Sequence, residues 1–235
     1  VILGSTGSIG ESALRVVDRL KDRFEIRGLA ACRNADRLLQ QARRYRVKHI
    51  ALADPEMAHA CRSRLPPGVQ LHVGTEGLET LAALDDTDIV LAAIVGMAGL
   101  KPILAALRRG TTVAQATKEA LVAAGRLVME LCRQTGAHLL PVDSEHSAIF
   151  QCVDGKPPAS IRKIVLTASG GPFASKPDLD FDTVTVEAAL KHPRWNMGRK
   201  VTVDSATMMN KGLEIMEARW LFDIPLDRID VVIHP

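Results

Sequence analysis

Aromatic residues are scarce in this 235-residue chain: Phe, Tyr and Trp together make up 3% of it, although 47% is hydrophobic. The apolar side chains are mostly Ala, Leu, Val and Ile, the set expected of helices packed on a buried sheet. Cysteine is sparse as well. Cys32, Cys61, Cys132 and Cys152 show no CxxC pair and no finger spacing, which argues against a zinc finger or a disulfide framework. Reduced thiols in a cytoplasmic protein are expected. Long hydrophobic runs are missing too. The longest, Ile89 to Leu100, is too short to span a bilayer, and no signal-peptide pattern is visible. Neither sign of charge dominates. A formal net charge of +3 points to a small anionic ligand more than to nucleic acid. The densest basic run, Arg43 to Lys48, reads as a solvated helix end. Neither a membrane nor a nucleic acid is an expected partner.

The length suits one large domain or two smaller ones. Strand-like and helix-like segments alternate from "VIL" at the start to "AHLLPV" at 137–142. Helices are predicted over 8–20, over "ADRLLQQARRY" and over 118–135. The alternation predicts a doubly wound, mostly parallel sheet. The rhythm breaks near Val142. Beyond it come "DGKPPAS", a strand "IRKIVLTAS", a Gly/Pro/Asp loop from Gly170 to Asp182 and one helix from Ser205 to about Leu221. The predicted division is 1–142 and 143–235. The chain starts inside an apolar run and stops just after "VVIHP", so it is expected to be part of a longer protein.

"VILGSTGSIGESALRVV" sets Gly4, Gly7 and Gly10 between a strand and a helix. Glycine permits a tight turn and lets backbone approach phosphate, and the helix N-terminus offers N–H groups to a pyrophosphate. The spacing is GxxGxxG, so the alternative is an ordinary strand-to-helix turn. The second strand favours dinucleotide binding. Where an NAD-selective chain carries an acid, this one reads "ACRN", with Arg33 and Asn34. A cation and an amide suit the 2′-phosphate of NADP. The competing reading leaves Arg33 on the surface and gives the ribose to Asp36, one turn into the next helix.

The segment "LLPVDSEHSAIF" places Asp143 and Glu145 at i and i+2, one face of a strand. Two carboxylates that close require a cation or a shared proton. In "DSATMMNKGLEIMEARW", Thr207, Asn210, Lys211 and Glu214 fall on one helical stripe. Together they suggest an anion and metal site, and all-oxygen ligands select Mg²⁺ or Mn²⁺. The alternative is a capped helix with an exposed Lys211–Glu214 pair. A lone His146 or His192 is more often a structural hydrogen-bonder than a ligand. "ASGGP" fits an anion-binding nest or a plain turn. Trp195 in "KHPRWNMG" fits a lid or a core anchor.

Taken together, "GSTGSIG", "AAIVG", "PVDSEHSAIFQ", "SGGPF", "HPRWNMGRK" and "VDSATMMNKGLEIMEARWLF" resemble the 1-deoxy-D-xylulose-5-phosphate reductoisomerase family over nearly the whole chain. The resemblance implies an α/β fold: a Rossmann-like NADPH-binding domain over 1–142, then an α+β metal- and substrate-binding catalytic domain over 143–235. The family's C-terminal helical domain would lie beyond this sequence. It implies metal ligands Asp143, Glu145 and Glu214, holding Mg²⁺ or Mn²⁺. It implies Lys118, Glu145 and His192 as catalytic. Substrate contacts fall on Ser144, Ser169, His192, Trp195, Ser205, Asn210, Lys211 and Glu214, with the phosphate on Ser169, Ser205, Asn210 and Lys211. Cofactor contacts fall on Gly4, Ser5, Thr6, Gly7, Ser8, Ile9, Arg33, Asn34, Thr117, Glu119 and Gly198. The implied reaction converts a small phosphorylated sugar with NADPH, in a homodimer when the protein is full length. Two positions depart from the family pattern: Thr117 stands where Asn is usual in "NKE", and Cys32 where Gly is commoner.

Two rival readings remain at this level. Another NADP-dependent reductase of the GxxGxxG type, such as an aspartate-semialdehyde dehydrogenase, needs an activated cysteine, and Cys132 and Cys152 have no evident partner in the sequence. A non-catalytic NADP-binding sensor would not need three convergent carboxylates. Metal-dependent turnover separates both from the main reading.

Overall fold

Aliphatic strands of two to four residues alternate with amphipathic helices through the first 143 residues of the computed structural model, which describes residues 1–176, 178–192 and 198–234. The order is β1 (Ile2–Leu3), α1 (Ser8–Arg19), β2 (Gly28–Ala31), α2 (Ala35–Tyr45), β3 (His49–Leu52), α3 (Pro55–Cys61), β4 (Gln70–Val73), α4 (Gly74–Ala82), β5 (Ile89–Ala92), α5 (Leu100–Arg108), β6 (Thr112–Gln115), α6 (Lys118–Thr135) and β7 (Leu139–Pro141). Local chemistry sets the helix ends. Asp54 caps α3 by accepting from Glu56 and Met57 N–H, with Pro55 in the first turn. Gly136, at φ +73°, closes α6 in the left-handed conformation.

The seven strands form one parallel sheet in the order β4-β3-β2-β1-β5-β6-β7. Alternate strand residues feed two cores. Leu3, Ala30, Ala51 and Val90 pack with Leu81, Ile103, Leu107 and Val128 from α4, α5 and α6. Ile2, Leu29, Ile50 and Leu52 pack with Leu14, Leu38, Leu39 and Ala58 from α1, α2 and α3. With both faces covered, the central strands β1, β2 and β5 are apolar throughout. The strand order reverses at β1, so the loops after β1 and β5 flank a topological switch point, where such sheets bind ligands.

Residues 144–235 form a second unit. It contains α7 (Ser144–Val153), β8 (Ile164–Ala168), α8 (Val186–Ala189), α9 (Arg199–Ala206), α10 (Met209–Leu221) and β9 (Ile229–Ile233). β8 and β9 pair in parallel. Buried and exposed residues alternate strictly along β8. Its buried Ile164 and Leu166 pack with Ala218, Phe222, Ile224 and Ile229.

Two sequence expectations fail here. Asp143 and Glu145 do not share a strand face: β7 ends at Pro141, and Glu145 lies in the first turn of α7. The apolar run after it, "SAIF", has enough helical character to start a helix one residue after Asp143. The single helix expected from Ser205 is two helices, α9 and α10, broken at Thr207 and Met208. Met208 takes φ +61°, a left-handed conformation that stops α9 and redirects the chain. Thr207 therefore leaves the stripe that Asn210, Lys211 and Glu214 share. Among the described residues, no helix is long and apolar enough to cross a membrane.

Candidate functional site

In the first unit the candidate residues collect at the carboxyl ends of the parallel strands. Gly4 and Ser5 follow β1 directly, and both N–H groups donate to the Ala30 carbonyl, at 2.9 and 2.8 Å. The Gly7 N–H donates to the Gly4 carbonyl at 3.1 Å, closing the turn. Gly10 lies against this turn so closely that a Cβ would overlap the Gly4 carbonyl and the Ser5 backbone. Gly7 caps α1 without a side-chain bond. The first-turn N–H groups therefore have no intrahelical acceptor, and the positive end of the helix dipole adds to them. Thr6 is half-buried, and Gly7, Ser8 and Ile9 are exposed.

At the end of β2, Arg33 Nε lies 3.3 Å from Asp54 Oδ2, while Asp54 Oδ1 caps α3. Asn34 caps α2, its Oδ1 accepting from Arg37 N–H at 3.1 Å. The rival residue Asp36 sits inside α2 and is paired with Arg64. At the end of β6, Thr117 is buried. Its hydroxyl lies 3.1 Å from the Ala92 carbonyl and 2.7 Å from that of Ile94, so it ties the loop after β5 to the start of α6. Lys118 follows at the start of α6 and pairs with Asp143; Glu119 lies in the same turn.

The second unit carries a cluster of charge. Lys211 is 6% exposed and Glu214 0%, which overturns the exposed Lys–Glu pair as a reading. Lys211 Nζ bonds Glu214, Glu145 Oε1 at 3.1 Å and the Thr167 carbonyl at 2.5 Å. Asn210 Nδ2 donates to Glu214 Oε1 at 2.5 Å. Ser144 Oγ donates to Glu145 Oε2 at 2.6 Å. Carboxylate oxygens of Glu145 and Glu214 lie within 4.8 Å of each other. His146, fully buried, braces the arrangement. Its Nε2–H donates to the Glu214 carbonyl at 2.9 Å, and its Nδ1 lies 3.6 Å from Glu217 Oε2.

A second group in this unit lies after β8. Gly170 and Gly171 have φ near +75°. Gly171 could not carry a Cβ, which would overlap the Ser205 carbonyl. The Gly171 N–H donates to Ser169 Oγ at 3.2 Å, and Ser169 Oγ lies 3.3 Å from His192 Nε2. Gly198 starts α9, its carbonyl accepting from Thr202. Trp195 lies outside the described residues.

Sequence reasoning did not single out Gln41, Glu11, Arg37 or Asp54. Gln41 is buried and bonded to Ser5, Glu11 bonds both Gln41 and Arg37, and Asp54 holds Arg33. A signal for Gln41 was present: it is a polar residue on the apolar face that Leu38 and Ala42 define in α2.

The family model described as "1-deoxy-D-xylulose 5-phosphate reductoisomerase" matches residues 1–125. The model of that family's C-terminal domain matches residues 139–222. Curated relatives of that name from Oleidesulfovibrio alaskensis and Anaeromyxobacter sp. are each 52% identical over 100% of this chain, which covers 58% and 60% of their own length. The chain thus spans about 60% of the length of the curated relatives it matches. Among solved structures, a DOX-P reductoisomerase in complex with NADPH, fosmidomycin and magnesium aligns with a TM-score of 0.91 at 39% identity. The Zymomonas mobilis enzyme in complex with NADPH aligns with a TM-score of 0.91 at 45% identity. Each is covered over 60% of its chain, and this chain over 100%.

Proposed function

This chain belongs to the 1-deoxy-D-xylulose 5-phosphate reductoisomerase family, and from that premise we propose the activity of the intact protein. It rearranges and reduces 1-deoxy-D-xylulose 5-phosphate to 2-C-methyl-D-erythritol 4-phosphate, using NADPH and Mg²⁺ or Mn²⁺, in isoprenoid precursor biosynthesis. One observation carries the reading: two carboxylates from separate helices, the half-buried Glu145 and the fully buried Glu214, converge on one buried cationic centre. Carboxylates this close, one of them fully buried, need a positive charge. The Lys211 ammonium supplies it here, and the all-oxygen donor set suits a hard divalent cation. Asp143, two residues before Glu145 in the chain, is the third proposed ligand.

When bound, the cation supplies a Lewis acid for the carbonyl and hydroxyl oxygens of the sugar. The chain's own groups do the rest. Ser169, Ser205, Asn210 and Lys211 hold the substrate phosphate, and that remote charge orients the reacting carbons. Once the carboxylates carry a divalent cation, the Lys211 ammonium is available to the phosphate. Ser144 and Trp195 are substrate contacts, and His192 and Lys118 serve as catalytic groups. Gly4 to Ile9 present backbone N–H groups to the dinucleotide pyrophosphate. Arg33 and the Asn34 amide take the 2′-phosphate, with Asn34 Oδ1 engaged as a helix cap; Thr117, Glu119 and Gly198 complete the cofactor contacts. Residues 1–142 are thus the NADPH-binding domain and 143–235 the catalytic domain. The intact protein is proposed to be a homodimer, which light scattering tests. The four free thiols support a cytoplasmic location.

The test is NADPH oxidation by the intact protein with 1-deoxy-D-xylulose 5-phosphate. Turnover that stops with a chelator and returns with Mn²⁺ is expected. Turnover indifferent to chelator would contradict the reading.

A further inference from the structure

The buried amide of Gln41, on α2, hydrogen-bonds the glycine loop at Ser5. Gln41 is 2% exposed and Ser5 0%. Gln41 Oε1 accepts from Ser5 Oγ at 2.7 Å, and Nε2 donates to the Ser5 carbonyl at 3.0 Å. The second Nε2 hydrogen goes to Glu11 Oε1 at 2.9 Å. An ionised carboxylate only accepts, so Glu11 fixes which end of the amide faces which way. Arg37 fixes Glu11 in turn, through Nε at 2.6 Å and Nη2 at 2.8 Å. That pairing holds the Glu11 carboxyl below its ordinary range, chiefly through the hydrogen bond from Arg37.

The consequence is the orientation of one peptide. In a planar trans peptide the C=O and the following N–H point in opposite directions. Gln41 holds the Ser5 carbonyl toward α2, so the Thr6 N–H points away from α2. Among the described residues, the Thr6 N–H has no backbone acceptor. We propose that Gln41 is a positioning residue for the pyrophosphate cradle: by clamping the Ser5 carbonyl it turns the Thr6 N–H toward the bound dinucleotide, and Glu11 and Arg37 latch the clamp. The inference rests on the NADPH reading of the first unit.

The experiment compares NADPH binding to the intact protein, by calorimetry, with steady-state kinetics for wild type, Gln41→Met and Arg37→Met. Removing the buried donor in Gln41→Met is expected to raise the NADPH Kd and KM about tenfold, the weight of one buried hydrogen bond. At saturating NADPH, kcat stays within about twofold, because the loss is in binding. Arg37→Met, at the exposed end of the latch, raises the Kd about threefold. If Gln41→Met does not fold, the Arg37 variant alone decides. A purely structural role would lower the melting temperature and leave the Kd of the folded protein unchanged; that result overturns the proposal. If wild type itself binds no NADPH, the cofactor reading fails and takes this inference with it. If wild type binds and both variants bind equally well, the inference alone falls.

Discussion

In residues 1–143 the groups offered to a ligand are mostly backbone. Gly4, Ser5 and Gly7 shape a turn, α1 supplies N–H groups, and the side chains around them hold that backbone in place. In residues 144–235 the offered groups are side-chain charges, the buried Lys211 and Glu214 and the half-buried Glu145. A backbone site depends on steric fit and peptide orientation. A charge site depends on balance, because each ion is held chiefly by charges of opposite sign. The two should therefore fail in different ways.

The largest effect should come from upsetting the balance. Lys211→Met leaves Glu214 fully buried without its ammonium partner. Breaking a buried pair costs ~3–5 kcal/mol, so the melting temperature should fall sharply in chelator. Mn²⁺ should restore much of it by replacing the lost charge. Equal melting temperatures with and without Mn²⁺ would remove the carboxylates from the cation site.

A steric change should act on the other unit alone. Gly10→Ala pushes a methyl group into the Gly4 carbonyl and Ser5. Overpacking of this kind costs ~1–3 kcal/mol. The NADPH KM should rise while the Mn²⁺ dependence of turnover stays as in wild type. A shifted metal response would mean that the two sites do not act separately.

Arg33→Ala sharpens the comparison, since Arg33 is the proposed charge contact in a mostly backbone site. Losing one charge-assisted bond should narrow the preference for NADPH over NADH about tenfold. Ratios of kcat/KM for the two cofactors measure this; an unchanged ratio would return Arg33 to its pairing with Asp54 alone.

The smallest effect concerns acid stability. The Glu11 carboxyl is held below its ordinary value of 4.5 by Arg37. A depressed carboxylate contributes stability that is present above the ordinary value and lost as pH falls through the folded one. Glu11→Gln should remove a small part of the acid dependence of melting below about pH 4.5. The effect is slight because solvent still reaches the Glu11–Arg37 pair and screens it. Identical acid limbs would show that the Glu11 latch adds nothing to folding.

The contrast also explains what the sequence disclosed. The glycine loop and the strand–helix alternation have short periods, so local pattern reveals them: the α2 segment "ADRLLQQARRY" matches Ala35–Tyr45 residue for residue. The charge cluster joins residues far apart in sequence, Lys211 to Glu145 and to the Thr167 carbonyl. No local spacing encodes that, and the strand argument for Asp143 and Glu145 failed because a helix starts between them. The break at Met208 had no glycine to announce it; a non-glycine residue in a left-handed conformation depends on tertiary context. Gln41 was visible as a polar residue on an apolar face, yet only the folded chain shows that Ser5 meets it.

The separation of the two sites is tested most directly by Glu214→Gln in the intact protein, with NADPH affinity and metal-dependent turnover measured on the same sample. Glu214→Gln keeps the shape of the buried side chain and removes its charge. Lewis-acid stabilisation supplies several kcal/mol, so kcat/KM should fall at least about a hundredfold. High Mn²⁺ should recover part of it, and the NADPH Kd should match wild type. Unchanged metal-dependent turnover, or a loss of NADPH binding equal to the loss of turnover, would contradict the account.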